Sequence, residues 1–343
     1  MSTRVRFFNR DGSQAAEIEC TCTRTWVLNA IGQAAIQIPL NDDKLTLDNT
    51  NFGQLVLIEH PRAGNWGGKV FTPYRENDTE GYAEIIAYTA EYILKQRRVV
   101  NVTFTGTAGQ IFQQLIGLAN QPEDTRIRIG SIENAGLSWT QTVDISDAYS
   151  VLVDIAKKSQ QYWSIEPVIG ADGLLYFEAN WYQYRGRQHP AVVRFEDGTH
   201  LEAARGAGLT VQGELGNDVM VYGSSGSQSS KIFAPAIDTA ARAEWGLVQF
   251  TIGVTDADQS SLTAAAQGIL RQYSQPIFTP RVVLTDVACG GGSGKAFDFA
   301  NLGDVVTYHR ITGRYAGDWR VRIVAREFDE RSGKMPLTVV AVR

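Results

Sequence analysis

The sequence predicts a mainly β protein of the α+β class, in which two similar β-domains are combined with helical insertions. The chain has 343 residues, more than one hydrophobic core usually supports. Most of it consists of short segments rich in β-branched and aromatic residues, which favour strands, and it contains a weak internal repeat. We expect 1–104, completed by 190–222, to form the first β-domain, 105–189 an α+β insertion, and 223–343 a linker followed by the second β-domain.

The internal repeat relates residues 63–90 to residues 316–343. With one single-residue gap, the matching positions are Ala63, Gly64 and Trp66 with Ala316, Gly317 and Trp319, Arg75-Glu76 near Arg326-Glu327, and Gly81 with Gly333. Each copy predicts a turn, a strand led by tryptophan, a charged loop and a return strand. The repeat therefore predicts two barrels or sandwiches of similar construction.

Three stretches have the apolar spacing of amphipathic helices. The first follows a capping box formed by Thr107 and Gln110 and ends before Pro122. The second follows Ser146 as its cap and ends in two lysines, which suit a helix C-terminus. The third is expected over 256–274, before Pro276. Each is predicted to dock one face on a core.

The remaining segments predict strands and turns. Residues 82–94, "YAEIIAYTAEYIL", have strand composition. "WSIEPVI" and "LLYFEA" flank "GADG" and predict a hairpin. "DVVTYHR", "WRVRIVAREFD" and "LTVVAVR" predict a C-terminal meander, and "GSSGSQSS" at 223–230 predicts a linker.

The loop "ACGGGSGKAF", residues 288–297, resembles a nucleotide-binding loop but departs from it in three ways. The first glycine of G-x-x-x-x-G-K-[ST] is replaced by Cys289, and the hydroxyl position is Ala296. The sequence after Lys295 has no helical period, so no helix N-terminus is predicted to hold a phosphate. We interpret Gly290, Gly291, Gly292 and Gly294 as a flexible loop between strands.

Composition excludes several functional classes. A formal net charge of −5 argues against a protein that grips nucleic acid through phosphates. No apolar run reaches the roughly 18 residues of a membrane-spanning helix, and the N-terminus lacks the apolar core of a signal peptide, so we expect synthesis in the cytoplasm. Cys20, Cys22 and Cys289 cannot form a disulfide framework, although the first two would share one face of a strand, as a zinc half-site at most.

No catalytic, cofactor-binding or metal-binding residue is assigned from the sequence. The four histidines, His60, His189, His200 and His309, are scattered, and metal-binding and nucleophile-elbow motifs are absent from the sequence. Cys289 has no neighbouring base to activate it. The adjacent acids Asp42-Asp43 and Glu196-Asp197 are better explained as solvated turns than as a glycosidase pair. We expect a protein that is not an enzyme.

One segment stands out as a candidate interface or ligand cluster. "NWYQYRGRQHP", residues 180–190, interleaves aromatic residues with arginines, namely Trp181, Tyr182, Tyr184, Arg185 and Arg187. Such a set can stack on sugars or single-stranded nucleic acid, and the same residue types are enriched at protein–protein interfaces. We favour a packed or intersubunit loop.

The order of these pieces resembles the baseplate hub, or tail tip, proteins of tailed phages. The resemblance rests on layout and loose motifs over nearly the whole chain. They are "TWVLNAIGQAAIQIPLNDD", "LVLIEHPRAGNWGGKVFTP" with its G-x-W-x-G-x-V strand, "YILKQRRV" interpreted as a strand end, the helices on "AGQIFQQLIGLA" and "DAYSVLVDIAKKS", the hairpin "YWSIEPVIGADGLLYFE", "NLGDVVTY", and the final "RVRIVAREFD" and "GKMPLTVVAV".

The resemblance implies two tail-tube-like β-barrel domains with α+β insertions, and three chains forming a pseudo-hexameric ring. Such a homotrimer would adapt a sixfold tail tube to a threefold tip and form part of the channel for DNA ejection. The implied partners are the distal tail protein, the tape measure protein and other tail tip proteins, with genomic DNA passing through without specific binding. The implied location is the virion tail, and the chain's end at Arg343 implies no cell-wall-cleaving extension.

Two alternatives remain open at this point. One is a cell-surface glycan-binding or glycan-cleaving β-protein that uses the Trp181–Arg187 segment. The other is the hub of a bacterial injection machine with the same fold.

Overall fold

The mainly β class is confirmed, since 51% of the chain is strand and 19% is helix. The computed structural model describes residues 3–342 except for 78, 190–192, 203–208, 213–215, 225–230, 256–258, 275–276, 290–293 and 312–315. The predicted linker at 223–230 therefore lies largely outside the described residues, and Gly223 and Ser224 form the end of a strand.

Barrel 1 is a closed six-stranded barrel at the start of the chain. Its strands are β1 (Thr3–Phe8), β2 (Gln14–Val27), β3 (Gln33–Pro39), β4 (Leu55–Glu59), β5 (Trp66–Asn77) and β6 (Tyr82–Thr89), with the short helix α1 (Leu47–Thr50) between β3 and β4. The order around the barrel is β1-β4-β5-β6-β3-β2, and β2 pairs back to β1. All pairings are antiparallel. Alternate side chains point inward, as the period of a strand requires, and bury Val5, Phe7, Ile18, Ile36, Ile58, Trp66 and Ile85.

The insertion follows barrel 1 and packs on part of its outer surface. Its elements are α2 (Glu91–Lys95), β7 (Arg98–Gly106), α3 (Ala108–Ala119), β8 (Ile127–Ile132), β9 (Trp139–Asp147), α4 (Ala148–Ser159), β10 (Tyr162–Ile169) and β11 (Leu175–Tyr182). Strands β10, β11 and β8 form one sheet, and β7 pairs with β9 in a two-stranded ribbon. Phe8, Leu55 and Leu57 of barrel 1 join the core of the insertion, so the two parts share one apolar layer.

Two local predictions in this region need correction. The segment 82–94 is not a continuous strand, because β6 ends at Thr89 and α2 begins at Glu91. Ala90, Ile93 and Leu94 have the i, i+3, i+4 spacing of a helix and are buried in the insertion core, which outweighs their strand-like composition. For the same reason "YILKQRRV" is a helix followed by the start of β7, not the end of a strand.

Of the two predicted helix caps in the insertion, the one at α3 is confirmed and the one at α4 is wrong. The capping box of Thr107 and Gln110 at α3 is confirmed. The cap of α4 is Asp147, which accepts a hydrogen bond from the Ser150 N–H at 2.9 Å, and not Ser146. Ser146 instead pairs with Val99 in the β7–β9 ladder, so the helix starts one residue later. The predicted hairpin is confirmed as β10 and β11, joined by a turn with Gly173 at φ +78°.

The chain next begins a second barrel and leaves it again to form a small α/β unit. The entering strands are β12 (Arg194–Glu196), β13 (Leu201–Glu202) and β14 (Leu209–Gln212), and the unit comprises β15 (Asp218–Ser224), β16 (Ile232–Ile237), α5 (Thr239–Trp245), β17 (Gln249–Thr255) and α6 (Gln259–Tyr273). The third predicted helix is α6, and its predicted first residues, 256–258, lie outside the described residues. Leu262 and Ala266 of α6 pack on Val219, Val221 and Ala234 in a separate small core.

Barrel 2 is completed by the C-terminal strands β18 (Ile277–Leu284), β19 (Val305–Arg310), β20 (Gly317–Asp329) and β21 (Met335–Ala341). The order is β12-β19-β20-β21-β18-β13, with β14 pairing beside the first half of β18. The ends of this order meet at the turn 197–200, where Asp197 and Leu201 form an isolated bridge. Barrel 2 encloses its own core, with Phe195, Val282, Leu284, Val306, Ile323 and Leu337.

The predicted duplication is confirmed by strand order. In each barrel the fourth, fifth and sixth strands form a meander, the sixth lies beside the third, and the first lies beside the fourth. Trp66 begins the fifth strand of barrel 1, and Trp319 lies in the fifth strand of barrel 2. The barrels differ at the first strand, since β12 is parallel to β19 whereas β1 is antiparallel to β4.

Candidate assembly interface

The two barrels are joined edge to edge by backbone hydrogen bonds at a junction formed by β2 and β20. Residues 23–27 pair antiparallel with residues 325–329. The Leu28 N–H donates to the Val324 carbonyl at 2.8 Å and extends the pairing. Both barrels thereby belong to one 13-stranded sheet, so the chain holds them in a fixed relation.

A buried ion pair crosses the junction. Arg24 on β2 is fully buried, and its Nη1 lies 2.9 Å from Oε1 of Glu330, the residue after β20. The carboxylate also accepts the Cys22 N–H at 3.2 Å. The guanidinium lies near the rings of Trp26 and Phe328, at 5.5 and 5.1 Å from their centroids. Because a buried charge without a partner is costly, the pair disfavours any other alignment of the two strands.

The adjacent cysteines are held as thiols. Burial raises the pKa of Cys22 to about 12, and burial also raises the pKa of Cys20 far above its ordinary value. The Cys22 Sγ accepts a hydrogen bond from Nη1 of Arg24 at 2.9 Å. Metal binding needs thiolates, and burial disfavours that form of both residues. Within the described residues, no three His, Cys, Asp or Glu side chains come together as a metal site.

The segment Trp181–Arg187 does not form one exposed surface. Trp181 is fully buried, with its ring 5.1 Å from that of Phe112 and its indole N–H donating to Gln161 at 2.5 Å. Arg185 is mostly buried, and it donates to the Trp163 carbonyl at 2.8 Å and to Glu166 at 3.2 Å. Tyr182 is half-buried and lies 3.4 Å from the Ser164 hydroxyl. Tyr184, 69% exposed, and Arg187 present their side chains to solvent.

This part of the chain serves as the connector, residues 183–189, between the insertion and barrel 2. The Arg187 N–H donates to Asp304 at 2.7 Å, and its carbonyl accepts from the Val305 N–H at 2.8 Å. Gly186 and Gly303 lie back to back with positive φ angles of +91° and +86°. A Cβ on Gly303 would lie 2.3 Å from the Arg185 carbonyl oxygen, so the close approach requires glycine.

A buried carboxyl lies where barrel 1 meets the insertion. Glu91, in α2, is buried, and this burial raises the pKa of its carboxyl above the ordinary value, although a hydrogen bond with Thr89 acts in the opposite direction. Among the described residues its Oε2 has no hydrogen-bond partner. The burial therefore favours the protonated carboxyl.

A groove of about 800 Å³ separates the β9–α4 part of the insertion from α6. Leu137 and Ile145 line it and are 80% and 83% exposed. Two of its charged side chains are already engaged, Lys158 with Asp154 at 2.8 Å and Arg271 with Gln160 at 3.0 Å. The groove thus offers apolar contact beside satisfied polar groups.

The glycine-rich loop has no helix behind it. Residues 290–293 lie outside the described residues, and Lys295 is followed by a single 3-10 turn over Ala296–Phe299. The Lys295 N–H, which would face a phosphate in a nucleotide-binding loop, donates to the Asp298 carboxylate at 2.9 Å. Among the residues that the structure describes, no helix has both the length and the apolar character needed to cross a membrane.

The sequence prediction missed the junction residues Arg24, Trp26 and Glu330. One signal was present: Arg24 continues the inward-facing series Ile18, Cys20 and Cys22 at a spacing of two, where an apolar residue is expected. A charge at such a position calls for a buried partner, but that partner lies 306 residues away in the chain.

No protein-family model matches the chain, and no curated protein matches it. Solved structures do. The 43 kDa tail protein of prophage MuSo2 from Shewanella oneidensis aligns with a TM-score of 0.62 and 15% identity over 99% of this chain and 98% of that one. The prophage tail protein gp18 from Listeria monocytogenes EGD-e aligns with a TM-score of 0.60 and 13% identity over 100% and 95%.

A third similar structure belongs to a bacterial secretion system. The Escherichia coli c3393 protein, a component of the type VI secretion system, aligns with a TM-score of 0.51 and 12% identity over 94% of this chain and 73% of that one. At these identities the likeness establishes a shared fold. The resemblance stated from the sequence is confirmed at that level: the chain has the fold of phage tail proteins.

Proposed function

We propose that this chain is a structural hub protein of a tail tip, three copies of which form a ring of six barrels. The observation that carries this proposal is the edge-to-edge pairing of two barrels with the same strand order within one chain. A fixed pair of like barrels is one third of a six-barrel ring. Three such chains present pseudo-sixfold symmetry on one face and true threefold symmetry overall.

The proposed role is that of a symmetry adapter. A ring of this kind would dock under a sixfold tail tube and carry a threefold tip, with the distal tail protein and the tape measure protein as its neighbours in the virion. Its centre would form part of the channel for DNA ejection. A chain with a formal net charge of −5 supplies little excess positive charge to retain DNA by counterion release, which suits passage without binding.

The domain division and the connector side chains are part of the same proposal. The pairing of β12, β13 and β14 with barrel 2 strands and the run of insertion elements from Glu91 to Tyr182 support a division at 1–90, 91–189 and 190–343. We propose this division in place of the expected 1–104 completed by 190–222, 105–189 and 223–343. Tyr184 and Arg187 on the connector are proposed to contact a neighbouring subunit or tail protein, because aromatic and arginine side chains are favoured at interfaces. We assign the chain no reaction.

The same fold supports a second candidate, the hub of a bacterial injection machine. The likeness to a type VI secretion component favours it, and the physics of the ring is the same in both settings. The glycan-binding alternative is weakened because Trp181, its main stacking residue, is fully buried.

Mass measurement of the purified chain in solution, followed by electron microscopy of the assembled species, tests this proposal. The expected result is a homotrimer whose image shows six similar densities around a central hole. A species that stays monomeric at every concentration and binds or cleaves a glycan would contradict the proposed hub and support the alternative.

A further inference from the structure

We infer that the C-terminal half of β5 in barrel 1 pairs with β14 of a neighbouring copy, and that this pairing closes the ring. The inference rests on the ring proposed above and identifies the strand edges that form its intermolecular joints. It is drawn from the internal duplication of the chain, in which one barrel shows how its counterpart can be paired.

Strand β5, the fifth strand of barrel 1, extends beyond its shorter neighbour β4. Along one edge, β6 pairs with β5 from Gly68 to Asn77. Along the other edge, β4 pairs only with Trp66–Lys69, and Val70 exchanges hydrogen bonds with Gly53 and Gln54. Among the strands that the structure describes, none pairs with this edge over 71–75, and Glu76 beyond it has an interaction of its own.

The corresponding edge in barrel 2 is occupied. Strand β20 is the counterpart of β5, and β21 pairs with one of its edges over 321–326. On the opposite edge β19 pairs with 317–322, and β2 of barrel 1 pairs with 325–329. The stretch of β20 that binds the other barrel is therefore the stretch that β5 leaves open.

The strand that fits this open edge is β14, which in barrel 2 corresponds to the C-terminal half of β2 in barrel 1. In barrel 1, Arg24 near the end of β2 pairs with Ala34 near the start of the third strand. In barrel 2, Gln212 at the end of β14 pairs with Ile277 at the start of the third strand. Among the described strands β14 pairs only with β18, so no described strand occupies its second edge.

The junction within the chain pairs the second strand of one barrel with the fifth strand of the other. The edges of β14 and β5 are the same two kinds of strand edge, and they too lie on different barrels. A junction within each chain would alternate with the same kind of junction between chains, so that each barrel binds the next around the ring. Such contacts are heterologous and need closure to avoid open polymers. Exposed strand edges promote unwanted pairing, and closure of the ring covers both of them.

A cysteine scan tests the pairing. Arg75→Cys on β5 is combined in turn with Leu209→Cys, Thr210→Cys, Val211→Cys and Gln212→Cys, and each variant is oxidised and its mass measured under native and denaturing conditions. Directly opposed residues of antiparallel strands lie within disulfide reach. We expect covalent dimers and trimers, strongest at alternate positions, because successive residues of any strand face opposite sides of its sheet.

The control replaces Glu84, which lies opposite Arg75 on β6, where both strand edges are occupied. Glu84→Cys with the same β14 cysteines should give little cross-linking. A native trimer that forms no disulfide at any of the four β14 positions would overturn this pairing and leave the ring in place. A chain that remains monomeric under native conditions would overturn the ring and the pairing together.

Discussion

Nη1 of Arg24 lies 2.9 Å from Oε1 of Glu330, and the two residues belong to different barrels. Both side chains are almost fully withdrawn from solvent, at 0% and 7% exposure. The attraction between them and the N–H of Cys22 bonded to the carboxylate offset part of the loss of hydration, while Nε and Nη2 of Arg24 have no hydrogen-bond partner among the described residues. The pair therefore sets the alignment of β2 against β20.

Glu330→Ala should destabilise the folded chain strongly. Removal of the carboxylate leaves the Arg24 guanidinium buried without its charge partner, which typically costs about 3–5 kcal/mol. The double variant Arg24→Met with Glu330→Leu should regain most of that loss, because apolar replacements of a buried pair are often tolerated. Chemical denaturation followed by tryptophan fluorescence measures both effects.

An exposed ion pair provides the control for this prediction. Lys334 lies 2.6 Å from Glu202, but their side chains are 41% and 46% exposed. Glu202→Ala should change the free energy of unfolding by no more than about 1 kcal/mol. Equal losses in Glu330→Ala and Glu202→Ala would show that the buried pair has no special role.

Trp181 and Tyr184 should respond in opposite ways to truncation. Trp181→Ala removes a fully buried ring that packs on Phe112, and should cost about 3–5 kcal/mol of unfolding free energy. Tyr184→Ala removes a side chain that is 69% exposed and should change stability by less than about 0.5 kcal/mol. Denaturation curves test this, and a stable Trp181→Ala variant that loses sugar binding would instead favour the glycan-binding alternative.

The sequence predicted the parts of this fold that local patterns encode. The repeat around Trp66 and Trp319 identified the fifth strand of each barrel, since both copies keep a turn, a strand and its return. The capping box at Thr107 located the start of α3 because it depends on residues three apart. The sequence does not predict α2, because the helical spacing of Ala90, Ile93 and Leu94 covers little more than one turn and the composition around it favours a strand.

Long-range relations could not be predicted from local patterns. The Arg24–Glu330 contact joins residues 306 positions apart, and no local signal identifies that partner. The sequence marks the segment Trp181–Arg187 as unusual, but its composition does not show that β11 ends at Tyr182 or which of its side chains face a core. Only the fold shows that Trp181 is buried while Tyr184 is exposed.

Glu91 should make the folded chain less stable as the pH rises. Burial raises the pKa of this carboxyl in the folded state, whereas its ordinary value is 4.5. Between 4.5 and the raised folded-state pKa, the folded chain holds a proton that the unfolded chain has lost, so stability falls with increasing pH in that interval. The contribution is fully present below 4.5 and is lost above the folded-state pKa.

Glu91→Gln removes this titration and keeps the shape of the side chain. As the pH rises, the unfolding free energy of the wild-type chain should therefore fall relative to that of Glu91→Gln. Glu178→Gln, at an exposed position on β11, is the matched control for the loss of one carboxyl group from the chain. Stability curves of the wild-type chain and Glu91→Gln that run parallel with pH would contradict the raised pKa of Glu91.

Gly303→Ala should destabilise the chain more than an alanine at another glycine with positive φ. At Gly303 the φ angle is +86°, and a Cβ would lie 2.3 Å from the Arg185 carbonyl oxygen, which is backbone and cannot rotate away. At Gly81 the φ angle is +73°, but no heavy atom lies within 4 Å of the added Cβ. Gly81→Ala therefore measures only the cost of placing alanine in a left-handed conformation, about 1–2 kcal/mol of unfolding free energy.

The excess loss in Gly303→Ala comes from displacement of the connector. If the Arg185 backbone moves, the Arg187 N–H loses its 2.7 Å hydrogen bond to Asp304, and the insertion is no longer held against barrel 2 at this point. We expect faster proteolysis within residues 183–189 as well as a lower unfolding midpoint. Equal midpoints for Gly303→Ala and Gly81→Ala, with no new cleavage, would show that the two glycines differ only in conformation and that the close contact with Arg185 is not required.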